Sequence, residues 1–572
     1  MNRKKLLIIM SAAVLIISML INCLHTHLWG PDEPREAEIA REICNRNSWV
    51  VPYFNGLPFV EKPPLYYDVS ALIYKICPKP GALRLHSALL GCLMLAALYI
   101  FAAKKCGNTV ALCACTLCAS MPQFYRPAHW ILLDIGVGAW VTAALVCYGL
   151  WSLQEKEKKS PFLMLLFFSF AALGMLTKGF ITIVYIGIIV LPHWLFFRRR
   201  QLPPVWTILV FLIPVGLWIF LFYREGGIYY LHEHFINNIF GRLLHREFRL
   251  EGTPITVSDV GHNSPLLFYF KRLPEMLGAA IALVPFAVIW AWRTLEWKFF
   301  CWKLPEKLQK IWDFLSKPYS ETFLQKDLIA YLMLWSFVPL FAFSVPAIKE
   351  VTYLLPSYAG IALLVICYLA DRLRWEKDGD FPWLSSFIIP LLCFAVASQI
   401  LSYISLTGCF ILYGLVWLWL GYLGIRMILR RQFSWIVLPI LTGLLGGVML
   451  GNTPELMERS RVARKCYCKV AEMVWREAGN RKLCLLATEE SIRGAIPFYG
   501  NRDIDLLTDY KTLCKRLALP GNQAFLLYKT SYREFCEDPE FAVPAQKYRV
   551  FFPDVPKKSD TFVLLVSDEK MP

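Results

Sequence analysis

The sequence predicts a polytopic α-helical membrane protein with a small extracytoplasmic α/β domain at its C-terminal end. Of its 572 residues, 57% are hydrophobic and only 18% are charged, a composition too apolar for a soluble enzyme. Apolar runs long enough to cross a bilayer recur along the chain, and basic clusters fall between alternate pairs of them. From about residue 453 the composition turns polar and short β-like runs appear.

Thirteen candidate spans lie near 6–24, 83–103, 109–126, 129–150, 161–177, 180–197, 205–222, 273–292, 328–346, 351–370, 383–403, 409–426 and 433–451. Every second connection is cationic: Arg3/Lys4/Lys5, Lys104/Lys105, Lys156/Lys158/Lys159, Arg198 to Arg200, Arg293 through Lys326, Arg372/Arg374/Lys377 and Arg426/Arg430/Arg431. By the positive-inside bias the N-terminus is cytoplasmic, the C-terminus is outside, and two long loops, about 25–82 and 223–272, face outward. This topology accounts for most of the net charge of +17, so the basic balance does not call for nucleic acid. Arg3, Lys4 and Lys5 followed by an apolar run resemble a signal peptide, but no A-x-A pattern follows and the segment reads as an uncleaved first helix.

The chain thus divides into a transmembrane part, 1–452, and an extracytoplasmic α/β part, 453–572. In the latter, Leu483 to Ala487, Ile504 to Leu507, Ala524 to Tyr528 and Phe562 to Val566 read as strands between helical stretches. No Gly-rich phosphate loop occurs, so an activated donor would have to arrive already in the membrane. Of eighteen cysteines, many lie in apolar runs as small hydrophobes; the Cys115/Cys118 pair has no second pair nearby. Cys466, Cys468, Cys484, Cys514 and Cys536 allow one or two disulfides outside the cytoplasm.

The stretch Trp29 to Tyr67 carries the chemistry. It gathers Asp32, Glu33, Arg35, Glu61 and Lys62 among aromatics suited to the headgroup level. Asp32 reads either as an N-cap of a surface helix or as a general base near an anionic headgroup. Arg35, Lys62, Lys178 and Lys349 lie on the face where positive-inside disfavours cations; they read either as interfacial snorkellers or as donors to a phosphate. His232, His234, His245 and His262 in the second outer loop read as solvated, and the i, i+2 spacing of the first two does not make a zinc pair.

The motifs WGPDEPREAEIARE, FNGLPFVEKPPLYY, WILLDIGVGAWV, LTKGF, HNSPLLFYF and SVPAIKEVTYLLPSYA resemble, in the same order, those of the bacterial lipid-linked sugar transferases of the protein O-mannosyltransferase and aminoarabinose (lipid A) transferase group. The resemblance implies a GT-C fold with thirteen transmembrane helices and outer juxtamembrane helices, in the bacterial inner membrane. It implies a donor sugar on undecaprenyl or a related polyprenyl phosphate. Asp32 would be the catalytic carboxylate; Arg35, Lys62 and Tyr353 would hold the carrier phosphate, with Lys349 a nearby basic position. Glu61 and His262 match metal-contacting positions, where a zinc ion would bind, although no cofactor is required. Asp134 matches an acidic position of the group, and Glu33 and Lys178 are further candidates. Asn237 and Asn238 stand near where the aminoarabinose enzymes carry a Glu-His pair, which leaves lipid A, another envelope glycolipid and protein hydroxyls open as acceptors. A lipid-linked sugar flippase is the rival from another class, although no internal repeat accompanies it.

Overall fold

The computed structural model describes residues 3–21, 23, 27–154, 160–197, 202–241, 244, 264–296, 324–375, 381–400, 406–453, 456, 467–486, 489–507, 509–519, 521–552 and 562–567. A helix stands at every one of the thirteen predicted spans. Among the described residues, seven helices are long and apolar enough to cross a membrane, and an eighth span is a pair, Phe268–Ala282 and Val284–Thr294, bent by 68°. Three further apolar helices, Asn108–Ala119, Ile181–Phe197 and Leu384–Ser398, have only 10–17 residues. The protein is therefore a multi-pass membrane protein, and among the described residues length and composition identify seven or eight of the expected crossings.

The chain divides into two compact units. The described residues of Met1–Cys23, Ser87–Gly252 and Asp259–Leu456 form the first, and those of Leu24–His86 and Met457–Pro572 the second.

In the first unit the helices differ in what surrounds them. In Asp134–Ser152 and Val351–Arg372, 94% and 89% of the apolar window is buried, against 22% in Val205–Gly241 and 28% in Phe410–Leu429. The former are central helices and the latter present most of their side chains outward, as spans facing lipid do. Close approach at the centre rests on small residues: a Cβ at Gly138 would lie 2.2 Å from Leu355 Cδ2, and one at Gly149 2.8 Å from the Tyr331 ring. Two buried donors of the helix Lys326–Ala342 find carbonyls on these central helices. Tyr331 donates to the Leu145 carbonyl (2.7 Å) and Trp335 Nε1 to that of Pro356 (2.9 Å), which avoids an unsatisfied donor in an apolar core.

The second unit contains a hairpin, β1 (Tyr53–Phe54) and β2 (Leu57–Pro58), and a five-stranded sheet. Asn55 and Gly56 between β1 and β2 both have positive φ, 54° and 76°, the backbone that an Asn-Gly hairpin turn requires. The sheet is built from β3 (Lys482–Leu486), β4 (Asp505–Leu506), β5 (Gln523–Tyr528), β6 (Tyr548–Phe551) and β7 (Phe562–Ser567) in the order β4-β3-β5-β7-β6. β3 runs parallel to β4 and β5, and β7 antiparallel to β5 and β6.

Both faces of the sheet are covered. Leu483, Leu485, Leu526 and Leu564 enter one core with Val470, Val474 and Ile496. Alternate residues Cys484, Phe525, Leu527 and Leu565 enter a second with Leu513, Leu517 and Phe541. That alternation explains the continuous apolar runs read in β3, β5 and β7. β6, with Arg549 and Val550 exposed, is one of the two edge strands, and its weaker apolar signal is why the sequence pattern does not reveal it. Among the described residues Cys484, Cys514 and Cys536 are free thiols, and Cys468 Sγ lies 3.2 Å from His27 Nδ1. Cys466 and the stretch 297–323 lie outside the described residues.

Candidate functional site

The helix Asp32–Arg46 in the second unit positions the first group of candidates. Gly30, at φ 65°, turns the chain so that Pro31 can open the helix. Asp32 is the first helical residue rather than the N-cap; Pro31 takes that position and no side chain caps the helix. The capping alternative for Asp32 is thus not realised, and its carboxylate is left 43% exposed, at an end where the helix dipole favours negative charge. Three residues on, Arg35 Nη2 pairs with Asp32 Oδ1 at 3.0 Å. The same Nη2 contacts Glu36 Oε1 at 2.9 Å, and Nη1 reaches Glu490 Oε2 at 2.5 Å.

One guanidinium therefore answers three carboxylates. Burial opposes the charge of Arg35, but Glu36, Glu490 and Asp32 outweigh it and hold the guanidinium well above its usual range. Burial pushes the Glu36 carboxyl up, with Arg35 pulling the other way.

Glu33 is turned inward. It pairs with Arg84 at 2.6 Å, both side chains fully buried, and accepts from the Trp29 amide at 2.6 Å. Arg84 also donates to the His27 carbonyl. This pair fastens the WGPDE segment to the start of the helix Pro80–Cys106 and gives Glu33 a fixed inner partner.

Glu61 and Lys62 form a neighbouring pair at 3.1 Å, both nearly buried. Tyr67, fully buried, feels charges of both groups. Its hydroxyl is pushed well above the usual range by burial first, then by Glu36, with Glu61 adding and Arg35 opposing. One phenol thus feels both ion pairs. Arg35 Nε is buried and has no hydrogen-bond partner among the described residues.

In the first unit three candidates come together. Lys178, ending the helix Pro161–Lys178, pairs with Asp134 in the first turn of Asp134–Ser152. Its Nζ also sits 4.9 Å from the centre of the Tyr353 ring, within cation–π range. Lys349 is buried and donates to the Ser264 carbonyl at 2.8 Å; burial lowers its pKa. Ser264 donates its own amide to the Ala347 carbonyl at 2.9 Å, and Tyr269 reaches the Glu350 carbonyl at 3.1 Å. The AIKEVTY connection is thereby tied to the HNSPLLFYF segment.

His262 lies outside the described residues. Among the described residues no three His, Cys, Asp or Glu side chains are grouped so as to hold a metal ion, and the Glu61 carboxylate is engaged by Lys62. Nothing here supports a zinc site at Glu61 and His262. His234 is not a solvated loop residue: it is buried, with Trp218 at 5.3 Å and Phe222 at 5.7 Å between ring centres.

Four partners escape the motif reading. Glu36 and Tyr67 lie inside the quoted motifs but carry no spacing signal of their own. Glu490 lies 455 residues from Arg35, beyond any local pattern. Asn55, whose amide donates to the Arg493 carbonyl (2.8 Å) and whose oxygen accepts from Arg493 Nε (3.0 Å), was detectable through the Asn-Gly turn that holds it.

Comparison with known proteins agrees with the motifs. Residues 6–232 match the family described as dolichyl-phosphate-mannose-protein mannosyltransferase. The undecaprenyl phosphate-alpha-4-amino-4-deoxy-L-arabinose arabinosyl transferase of Aeromonas salmonicida is 28% identical over 379 residues, covering 64% of this chain and 61% of that protein. A second protein of that name from Proteus mirabilis is 26% identical, covering 61% and 57%. The match thus spans less than two thirds of these relatives' length. The crystal structure of ArnT from Cupriavidus metallidurans bound to undecaprenyl phosphate superposes with a TM-score of 0.69 at 17% identity, covering 99% of this chain and 98% of that one. The chain has the fold of that protein.

Proposed function

We propose that the chain is an inverting glycosyltransferase that moves a sugar from undecaprenyl phosphate, or a related polyprenyl phosphate, to lipid A or another envelope glycolipid outside the cytoplasm. The observation that carries this reading is the Asp32–Arg35 pair at the exposed start of its helix, inside the segment that matches a lipid-phosphate-sugar transferase family. The names of the curated relatives make 4-amino-4-deoxy-L-arabinose the first sugar to test.

In this reading the acceptor oxygen attacks the anomeric carbon as the bond from that carbon to the phosphate oxygen breaks, with inversion. Asp32 takes the proton from an acceptor hydroxyl, or orients an acceptor that is already an ionised phosphate. The departing carrier phosphate gains charge, which Arg35 and Lys62 neutralise, with Lys349 and Tyr353 as further donors. Asp134 and Lys178 hold Tyr353 through the cation–π contact. The transmembrane part, 1–452, carries catalysis from the inner membrane with its N-terminus cytoplasmic, and 453–572 lies outside; the alternation of basic loops supports this orientation.

A protein acceptor is the second reading, favoured by the description of the matching family. Mass spectrometry of lipid A and of envelope proteins, from cells with and without the chain, separates the two by which one loses a sugar. For the mechanism, purified Asp32→Asn that melts like the parent should lose about 10² to 10⁴ in transfer rate. Full activity in that variant removes Asp32 from the assigned role.

A further inference from the structure

Arg35 is the cation best placed to receive a doubly charged phosphate, yet its terminal nitrogens are already occupied. Nη2 serves Asp32 and Glu36, and Nη1 serves Glu490. Three carboxylates around one guanidinium leave an excess of negative charge, and a phosphate added to that set would meet repulsion from all of them. One carboxylate has to yield.

Asp32 and Glu36 share a helix with Arg35, at i−3 and i+1, and the Glu36 side chain is fully buried. Glu36 cannot withdraw from the core, and although Asp32 is exposed it shares Nη2 with Glu36, so its departure leaves that nitrogen occupied. Glu490 differs from Glu36 in exposure and from both in the nitrogen it holds. It is the first residue of another helix, Glu490–Gly500, its side chain is 33% exposed, and it alone occupies Nη1. A change of rotamer takes its carboxylate into water.

The approach of that helix is built in. A Cβ at Gly494 would fall 2.3 Å from the Pro34 carbonyl carbon and 2.6 Å from the Arg35 amide nitrogen, so the absence of a side chain at 494 lets the helix rest directly on the backbone of Arg35. Glu490 lies one turn earlier on the same face, and its side chain is thereby aimed at the guanidinium.

We propose that Glu490 is an exchangeable counter-anion that occupies Arg35 Nη1 until the carrier phosphate displaces it, and that it returns when the spent carrier leaves. This rests on the reading of Arg35 as a carrier-phosphate ligand. Glu490 thus keeps the guanidinium extended and weakens the hold on polyprenyl phosphate, favouring turnover over retention.

The test is binding of undecaprenyl phosphate to the full-length protein in nanodiscs, with thermal melting of each variant as the folding control. Arg35→Gln should bind more weakly. Glu490→Gln and Glu490→Ser should each bind about two- to fivefold more tightly, the range of one partly exposed ion pair, and Glu490→Asp should return towards the parent. If Arg35→Gln binds as the parent does, the underlying reading of Arg35 fails. If Arg35→Gln weakens binding while the two neutral Glu490 variants bind equally or more weakly, the exchange is overturned and the reading of Arg35 stands.

Discussion

Burial pushes the Asp68 carboxyl up from 3.8 to about 7, and its Oδ1 has no hydrogen-bond partner among the described residues. The folded protein therefore keeps this proton to a higher pH than the unfolded chain does. Stability falls as pH rises from about 4 to about 7 and the loss is complete above that window. Asp68→Asn removes the titration: its melting temperature in detergent should match the parent near pH 4 and exceed it at pH 8. Parallel melting curves across the whole range would contradict this. Near Asp32 the residue scale also shows what spacing can reveal. The i, i+3 pair of Asp32 with Arg35 is implicit in the sequence, whereas the loading of Arg35 by Glu36 and Glu490 is not.

The helices that carry the candidate residues are mostly legible from local pattern. Pro31, the acidic first turn and the apolar positions Ala37, Ala40 and Ile43 mark Asp32–Arg46, and the left-handed Asn47 at φ 57° closes it. What local pattern does not reveal is which face is covered. Glu36, Glu38, Arg41 and Glu42 are all buried, although a surface-lying helix is the natural reading of so polar a segment. Their burial is sustained by pairing: Arg41 meets Glu38 at 2.7 Å and Asp503 at 2.7 Å, and Glu42 accepts from the Gly56 amide at 3.1 Å. Helix against helix, the tightest point is Gly494. Because its would-be Cβ meets backbone rather than a movable side chain, Gly494→Ala should lower stability by about 1 to 3 kcal/mol, the cost of overpacking. Thermal melting measures it; an unchanged melting temperature would mean that the helix can retreat.

For the whole molecule, the division into units joins Leu24–His86 to Met457–Pro572. The first loop finds its partners there: Arg41 with Asp503, Asn55 with Arg493, the Leu28 amide with the Tyr499 hydroxyl at 2.8 Å. A chain ending after residue 452 loses all of them and leaves Glu38 and Arg41 with fewer buried contacts. Limited proteolysis of such a truncation should cut within residues 32–76 at least tenfold faster than in the full protein, since exposure to protease follows the population of the open form. Equal cutting rates would show that this segment holds its structure without the C-terminal part.

The sequence by itself determined the membrane character, the positions of the helices, four of the five strands in the C-terminal sheet and the motif residues gathered between Trp29 and Tyr67. All of these depend on short-range properties: apolar run length, charge alternation, side-chain period and turn chemistry. Only the tertiary structure decided that Glu33 faces Arg84, that Lys178 joins Asp134 to Tyr353, and that Glu490 sits on Arg35. These partners are 51, 44, 175 and 455 residues apart. Coulomb attraction and packing act on distance in space, and distance along the chain carries no information about it until the fold has brought the ends together.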